Sequence, residues 1–288
     1  MGERSEPLER LIEQLDLERI ETNLFRGEGP KDRRDRIFGG QVLAQSLVAA
    51  FRTVEDRVAH SLHAYFLRPG NPRIPILFTV DRIRDGRSFT TRRVVAVQNR
   101  EAIFNMAVSF QQTEEAPDRQ IDFPEIGEPE GVPYEEEIQI LASRAGFEVE
   151  QDDRRFDLPI EMLNPGGLRF SESESLAPRV TTWLRSRGSL PDDPALHQCV
   201  LAYASDFTIM VPAVRPMAMG LGQKGTQSAS LDHAMWFHRP FRADEWLFHV
   251  QDSPVTAHSR GLGRGIIYTR EGRIVASCVQ EGLIRARR

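Results

Sequence analysis

Cysteine is nearly absent from this 288-residue chain: Cys199 and Cys278 are the only two, both in apolar surroundings and without metal-ligand spacing. That excludes a disulfide scaffold and leaves a reduced, cytoplasmic chain as the expectation. No run of 18 apolar residues occurs, so no membrane-spanning helix is expected. The opening MGERSEPLERLIEQL is charged and amphipathic and lacks the apolar core of a signal peptide. A basic excess is missing too; the net charge of -5 gives no electrostatic case for nucleic acid. The final Ala-Arg-Arg is not a peroxisomal address of the Ser-Lys-Leu type.

What is present is a globular composition, 40 % hydrophobic and 27 % charged, at a length that suits one large domain or two ordinary ones. The densest stretch runs from Ser228 to His249, SASLDHAMWFHRPFRADEWLFH. It reads as two strands, Ser230–Arg239 and Glu245 onward, joined by a tight turn at Pro240–Asp244. Met235, Trp236, Phe237, Trp246 and Phe248 put apolar bulk on both faces, which predicts a hairpin inside a sheet.

In chain order, Ser5 is placed to cap a helix over Pro7–Leu15, and Ile20–Arg26 reads as a strand. After the charged loop PKDRRDR, Gly39 and Gly40 precede a helix from Gln41 to Arg52 so apolar that it must be buried. His60–Arg68, Ile76–Arg82, Thr90–Val97 and Ile103–Gln111 are strands separated by turn signals, an α+β pattern. Residues 116–150 form an acidic, proline-rich connector with a short helix from Glu135 to Ala145. Strands at Phe156–Met162 and Val180–Arg185 follow, then a helix capped by Asp193 with Pro194 in its first turn. Arg260–Thr269 and Ile274–Gln280 complete the strands.

The second half echoes the first. SLHAYFLRPG from Ser61 matches DHAMWFHRPF from Asp232, and AVSFQ ending at Gln111 matches ASCVQ ending at Gln280. Two copies of one helix-plus-sheet unit are expected, 1–115 and 151–288.

The stretches LFRGEG, FGGQVLAQSL, HSLHAYFLRPG, DGRSFTTRRV, AYASDF, LDHAMWFHRPFRADEWL and VASCVQEGLIR resemble the type II acyl-CoA thioesterase family, relatives of the peroxisomal enzymes, across nearly the whole chain. The resemblance implies a double hot-dog fold, each half a helix wrapped by an antiparallel sheet. It implies an acyl-CoA substrate hydrolysed without a cofactor, a metal or a covalent acyl-enzyme, by a chain that forms dimers or tetramers. The family's catalytic Asp, Thr or Ser, and Gln fall on Asp206, Ser230 and Gln280.

Read without the family, Asp206 ends the second helix, where the helix dipole disfavours a carboxylate and raises its pKa. The bland reading is a helix-end Asp in water. The first helix has no acidic residue, so at most one site per chain uses such a base. Gln280 shares a strand face with Ile274, Ala276 and Cys278, which turns a carboxamide toward the helix. It needs a partner there, either backbone or a helix-borne Asp with a water, and Gln111 is its mate in the first half. Strand alternation sets Ser230 and His233 on opposite faces, arguing against a Ser–His nucleophile, but it also turns Ser230 away from the Met235 face unless a bulge intervenes. Gly39 and Gly40 are candidates for substrate binding through helix N-terminal N–H groups, or simply a turn. His60 and His63 are expected to be structural. Arg260 and Arg264 are weighed as CoA-phosphate contacts against solvated arginines. Rival functions are a hot-dog hydratase using His233 or His238, and a non-catalytic acyl-CoA binder.

Overall fold

Ser5 accepts a hydrogen bond from Leu8 N–H (3.4 Å) and opens helix α1, Glu6–Leu15, which buries Leu8, Leu11 and Leu15. The computed structural model describes residues 4–29, 36–122, 125, 127–144, 157–167, 175–217 and 226–286. Most of the charged loop after Pro30 and the start of the Phe156–Met162 segment lie outside these. The predicted strand over Ile20–Arg26 is two, β1 (Glu18–Glu21) and β2 (Leu24–Gly27), paired antiparallel with each other.

Helix α2 (Gly39–Phe51) leads to β3 (Val58–Phe66), β4 (Ile76–Asp85), β5 (Phe89–Gln98) and β6 (Glu101–Gln111). The connector carries β7 (Val132–Pro133) and α3 (Tyr134–Arg144), and the second half continues with β8 (Ile160–Asn164) and β9 (Arg179–Ser186). Helices α4 (Pro194–Ser205) and α5 (Val211–Val214) precede β10 (Thr226–Ser230), β11 (Asp232–Phe237), β12 (Leu247–Ala257), β13 (Arg260–Thr269) and β14 (Ile274–Ala286). Asp193 caps α4 by accepting from Ala195 N–H (2.9 Å). Both α2 and α4 are buried on nearly every side, as an apolar helix without a polar face requires.

The strands form one sheet in the order β1-β2-β4-β5-β6-β3-β11-β14-β13-β12-β9-β8-β7, with β10 also paired to β14. The two halves meet at β3 and β11, antiparallel, where Asp232 faces Tyr65 and Trp236 faces Ser61. Because the repeat equates Ser61 with Asp232 and Tyr65 with Trp236, this pairing maps onto itself under a local twofold axis. One helix of each half lies within the curve of the sheet, the arrangement that the resemblance implies.

Two sequence expectations fail here for the same reason. Strands β11 and β12 are not a hairpin: β11 pairs with β3 and β14, while β12 pairs with β9 and β13. The segment between them docks by Ala243 N–H to His197 Nδ1 (3.0 Å) and by Leu190 N–H to Asp244 (2.8 Å). Apolar bulk on both faces marked two interior strands, not two partners. Likewise Gln111 is not the mate of Gln280. Ala59 pairs with Phe110 as Ser230 pairs with Gly282, and Ala64 with Met106 as Met235 with Cys278. That register makes Val108 the counterpart of Gln280.

A register shift near Tyr268 also moves Ile274 off the helix-facing side. It packs instead with Trp183, Phe248 and Tyr268 in a separate apolar cluster. Beside that cluster the connector docks through Gln120, whose amide donates to Gly272 C=O (2.8 Å) and accepts from Ile274 N–H (3.0 Å).

Behind β14, His249 is wholly buried and its pKa is lowered to about 3 by burial. In the unfolded chain it regains an ordinary value near 6.5, so below that pH the unfolded state binds a proton that the native state refuses. Its contribution to stability is complete above pH 6.5 and is lost as the pH falls toward 3, at up to about 1.4 kcal/mol per pH unit. Asp206, with a raised pKa, works in the opposite direction. Urea titrations between pH 6.5 and 4.5 should give a shallower pH slope for His249→Gln than for the wild type; identical slopes would show that His249 does not stay neutral.

Candidate active site

Asp206 is the C-cap of α4, and from there it crosses to the N-terminus of α2, where its Oδ2 accepts the Gly40 N–H (2.8 Å). The approach requires glycine: a Cβ on Gly40 would stand 2.4 Å from Tyr203 C=O. Burial is the main cause of the raised Asp206 pKa, opposed by the His233 charge and by hydrogen bonds from Gln280, Gly40 and Ser230. The helix-dipole expectation is therefore corrected. The direction is right, but desolvation drives it, and Asp206 also touches the positive end of α2.

Ser230 ends β10 and its hydroxyl donates to Asp206 Oδ1 (3.4 Å). The required irregularity exists. β10 and β11 both pair with β14, but the register slips by one residue between Ser230↔Gly282 and Ala234↔Val279. That slip at Leu231 returns Ser230 to the face carrying His233 and Met235. Gln280, 1 % exposed, donates its amide N–H to Ser230 Oγ (2.9 Å). Asp206, Ser230 and Gln280 are thus brought together as expected.

A fourth member was missed. His233, fully buried, makes a short hydrogen bond from Nδ1 to Gln280 Oε1, and its Nε2 meets Ser205 Oγ (3.0 Å). The direction of the whole chain follows from its end. An ionised carboxylate only accepts, so Ser230 must donate to Asp206 and accept from the Gln280 amide N–H. Gln280 Oε1 then faces His233, whose Nδ1 must carry a proton. The sequence held a signal for this, since the repeat places His233 opposite Leu62, a buried apolar residue in the first half. With Ala59 for Ser230 and Val108 for Gln280, each strand-borne link is apolar in that half, and the C-cap of α2 is Arg52.

The chain opens onto a cleft of about 470 Å³. Phe38, Val42, Phe66, Ile103, Phe207 and Met210 give it apolar walls, with Arg36 and Arg68 at the rim. Gly39 lines it as well. Gly40 N–H is occupied by Asp206, so only Gly39 keeps a first-turn donor for a ligand. Arg260 and Arg264 stand elsewhere, paired with Glu281 and Asp252 (2.8 and 2.7 Å). His63 packs edge-on to Trp236, and His60 to Phe89. Among the described residues no group of three His, Cys, Asp or Glu side chains is arranged to hold a metal ion, and no helix is long and apolar enough to cross a membrane.

Two helix-in-sheet units define a double hot-dog protein, and the buried carboxylate chain over an apolar cleft is its candidate hydrolytic centre among the described residues. The solved structure of a hot-dog fold protein from Alicyclobacillus acidocaldarius shares this fold at TM-score 0.75 and 16 % identity, over 96 % of this chain and 98 % of that one. Family models described as "Acyl-CoA thioesterase" and "Acyl-CoA thioesterase N-terminal domain" match residues 169–283 and 29–111. Acyl-CoA thioesterase 2 of Haemophilus influenzae is 37 % identical, over 98 % of this chain and 99 % of its own. The structure of acyl-CoA thioesterase II TesB2 from Mycobacterium marinum superposes at TM-score 0.77 with 40 % identity, covering 96 % of this chain and 97 % of that one. The chain belongs to the acyl-CoA thioesterase family.

Proposed function

We propose that this protein hydrolyses acyl-CoA to a free fatty acid and CoA, with Asp206 as general base and Ser230 and Gln280 orienting the attacking water. The observation that carries this is the one-directional hydrogen-bond chain ending on a buried carboxylate at an apolar cleft. Water attacks the thioester carbonyl carbon as its proton passes to Asp206. The oxyanion lies toward the α2 N-terminus and the Gly39 N–H. Collapse breaks the C–S bond, and the proton on Asp206 goes to the departing sulfur. The raised pKa of Asp206 makes it a stronger base than an exposed Asp and moves the acid limit of activity upward from the ordinary Asp value.

A hydratase would need a histidine facing substrate opposite Asp206. Both ring nitrogens of His233 are engaged by Gln280 and Ser205, and His238 bonds Ser277 (2.9 Å), which argues against it. A pure binder has no use for the polar chain. The reading extends to two repeats at 1–115 and 151–288 around a connector at 116–150. It extends also to a cytoplasmic setting, in keeping with the buried free thiols of Cys199 and Cys278. A dimer or tetramer is supported by the exposure of Tyr65, Ile83 and Phe89 on first-half strands.

A single turnover in ¹⁸O water tests the mechanism. Direct attack should leave one ¹⁸O in the fatty acid. An unlabelled acid with ¹⁸O in Asp206 would mean that the carboxylate itself attacked. No thiol release from any acyl-CoA would remove the thioesterase reading altogether.

A further inference from the structure

The local twofold axis that relates β3 to β11 must relate the catalytic cleft to a second location, and a cleft is found there. It encloses about 1070 Å³, against about 470 Å³ for the first. Its walls are the repeat equivalents of the catalytic walls. Val58, Ala59 and His60 stand where Ala229, Ser230 and Leu231 stand, and Phe237 through Pro240 replace Phe66 through Pro69. The catalytic chain is missing: Ala59, Leu62 and Val108 occupy the places of Ser230, His233 and Gln280.

Loss of chemistry alone would leave a filled core, but the second cleft is both open and polar. His197, 3 % exposed, lines it; its Nδ1 accepts from Ala243 N–H, so its proton is on Nε2, which has no partner. His60, on the opposing strand, also has a buried Nε2 without a partner. Unpartnered polar atoms are rare in native interiors. Arg270 reaches the rim on a weak tether, held by Glu128, which is 81 % exposed, whereas Arg242 is fixed there by a two-point pair with Asp244 (3.0 and 3.0 Å). The exposed Arg270 pair is worth little, and a phosphate can exchange for its carboxylate. Arg273 is exposed on the same rim. Glu114, Glu245 and Glu271 share it, so charge alone does not make the cleft an anion trap; its selectivity lies in a frame shaped like the thioester cleft.

We propose that this second cleft binds coenzyme A, free or acylated, without hydrolysing it, so that each chain holds one catalytic and one silent site. The proposal rests on the acyl-CoA reading of the first cleft, and the test separates the two. Calorimetric titration of the full chain with a non-hydrolysable thioether analogue of an acyl-CoA should saturate at two equivalents per chain. Thr113→Trp, which fills an exposed position beside the second cleft, and Arg273→Glu on its rim should each reduce this to one. A parallel titration with free CoA identifies the source: a second equivalent there assigns the silent site to product, and its restriction to the thioether assigns it to substrate. One equivalent in the wild type overturns the proposal and leaves the thioesterase reading intact. Two equivalents untouched by both substitutions also overturn it. No binding of any acyl-CoA overturns both.

Discussion

Asp206→Asn is expected to lower kcat for acyl-CoA hydrolysis about 10³-fold, within the range of a lost general base, while KM changes little. Asparagine keeps an oxygen for the Gly40 N–H, so the contact between the two helices survives. What it loses is the capacity to take a proton from water. Its amide also presents N–H groups to Ser230, which reverses the hydrogen-bond direction along the chain. Stability should hold or rise, because a carboxylate forced into a desolvated position is replaced by a neutral group. Wild-type kcat/KM should fall on acidification through a pKa above the ordinary Asp value of about 4, since only ionised Asp206 accepts the proton; the Asn variant should lack this limb. Thiol release across a pH series, with thermal melts alongside, checks all three. Unchanged kcat in a folded variant would remove Asp206 from the mechanism.

The second large effect is expected at His233, through its hydrogen bond to Gln280, as a positioning residue. His233→Leu installs the residue that the first half carries at Leu62. It leaves Gln280 Oε1 without its donor, in a site where an unsatisfied buried acceptor costs roughly 1–3 kcal/mol. The amide is then free to flip, offering Ser230 an oxygen instead of an N–H. A fall in kcat of about 10²-fold with KM preserved is expected, comparable to losing one preorganised donor. His233→Asn carries an N–H close to the position of Nδ1 and should recover most of the loss. Steady-state kinetics of the two variants separates positioning from packing. Equal losses in both, or a loss confined to KM, would mean that His233 serves only the core.

The relation between these residues explains how far the sequence could be read. The helix starts at Ser5 and Asp193, the buried α2 and α4, and most strands follow from capping, proline placement and apolar periodicity within one segment. The candidate trio Asp206, Ser230 and Gln280 is legible through family likeness, while local reasoning alone leaves Asp206 as a helix-end acid in water and Gln280 as a core amide bonded to backbone. Ser230 faced the wrong way under strict alternation, because a one-residue bulge is invisible in a pattern of period two. The Gln111–Gln280 match failed for a similar reason: identical residues near strand ends suggested a register that the ladder contradicts.

The sequence by itself determined that the first, wholly apolar helix would be buried, that each β-rich half carries one such helix as a repeat, and that only the second carries an acid at its helix end. These are properties of short segments, set by side-chain volume, polarity and backbone preference. Tertiary structure alone decided that β11 joins β3 rather than β12, and that the end of α4 meets the start of α2. It alone joined four residues from three separate segments into one directed hydrogen-bond chain. Pairing and burial depend on which surfaces meet across long stretches of chain, and the Asp206 pKa depends on the water that those surfaces exclude.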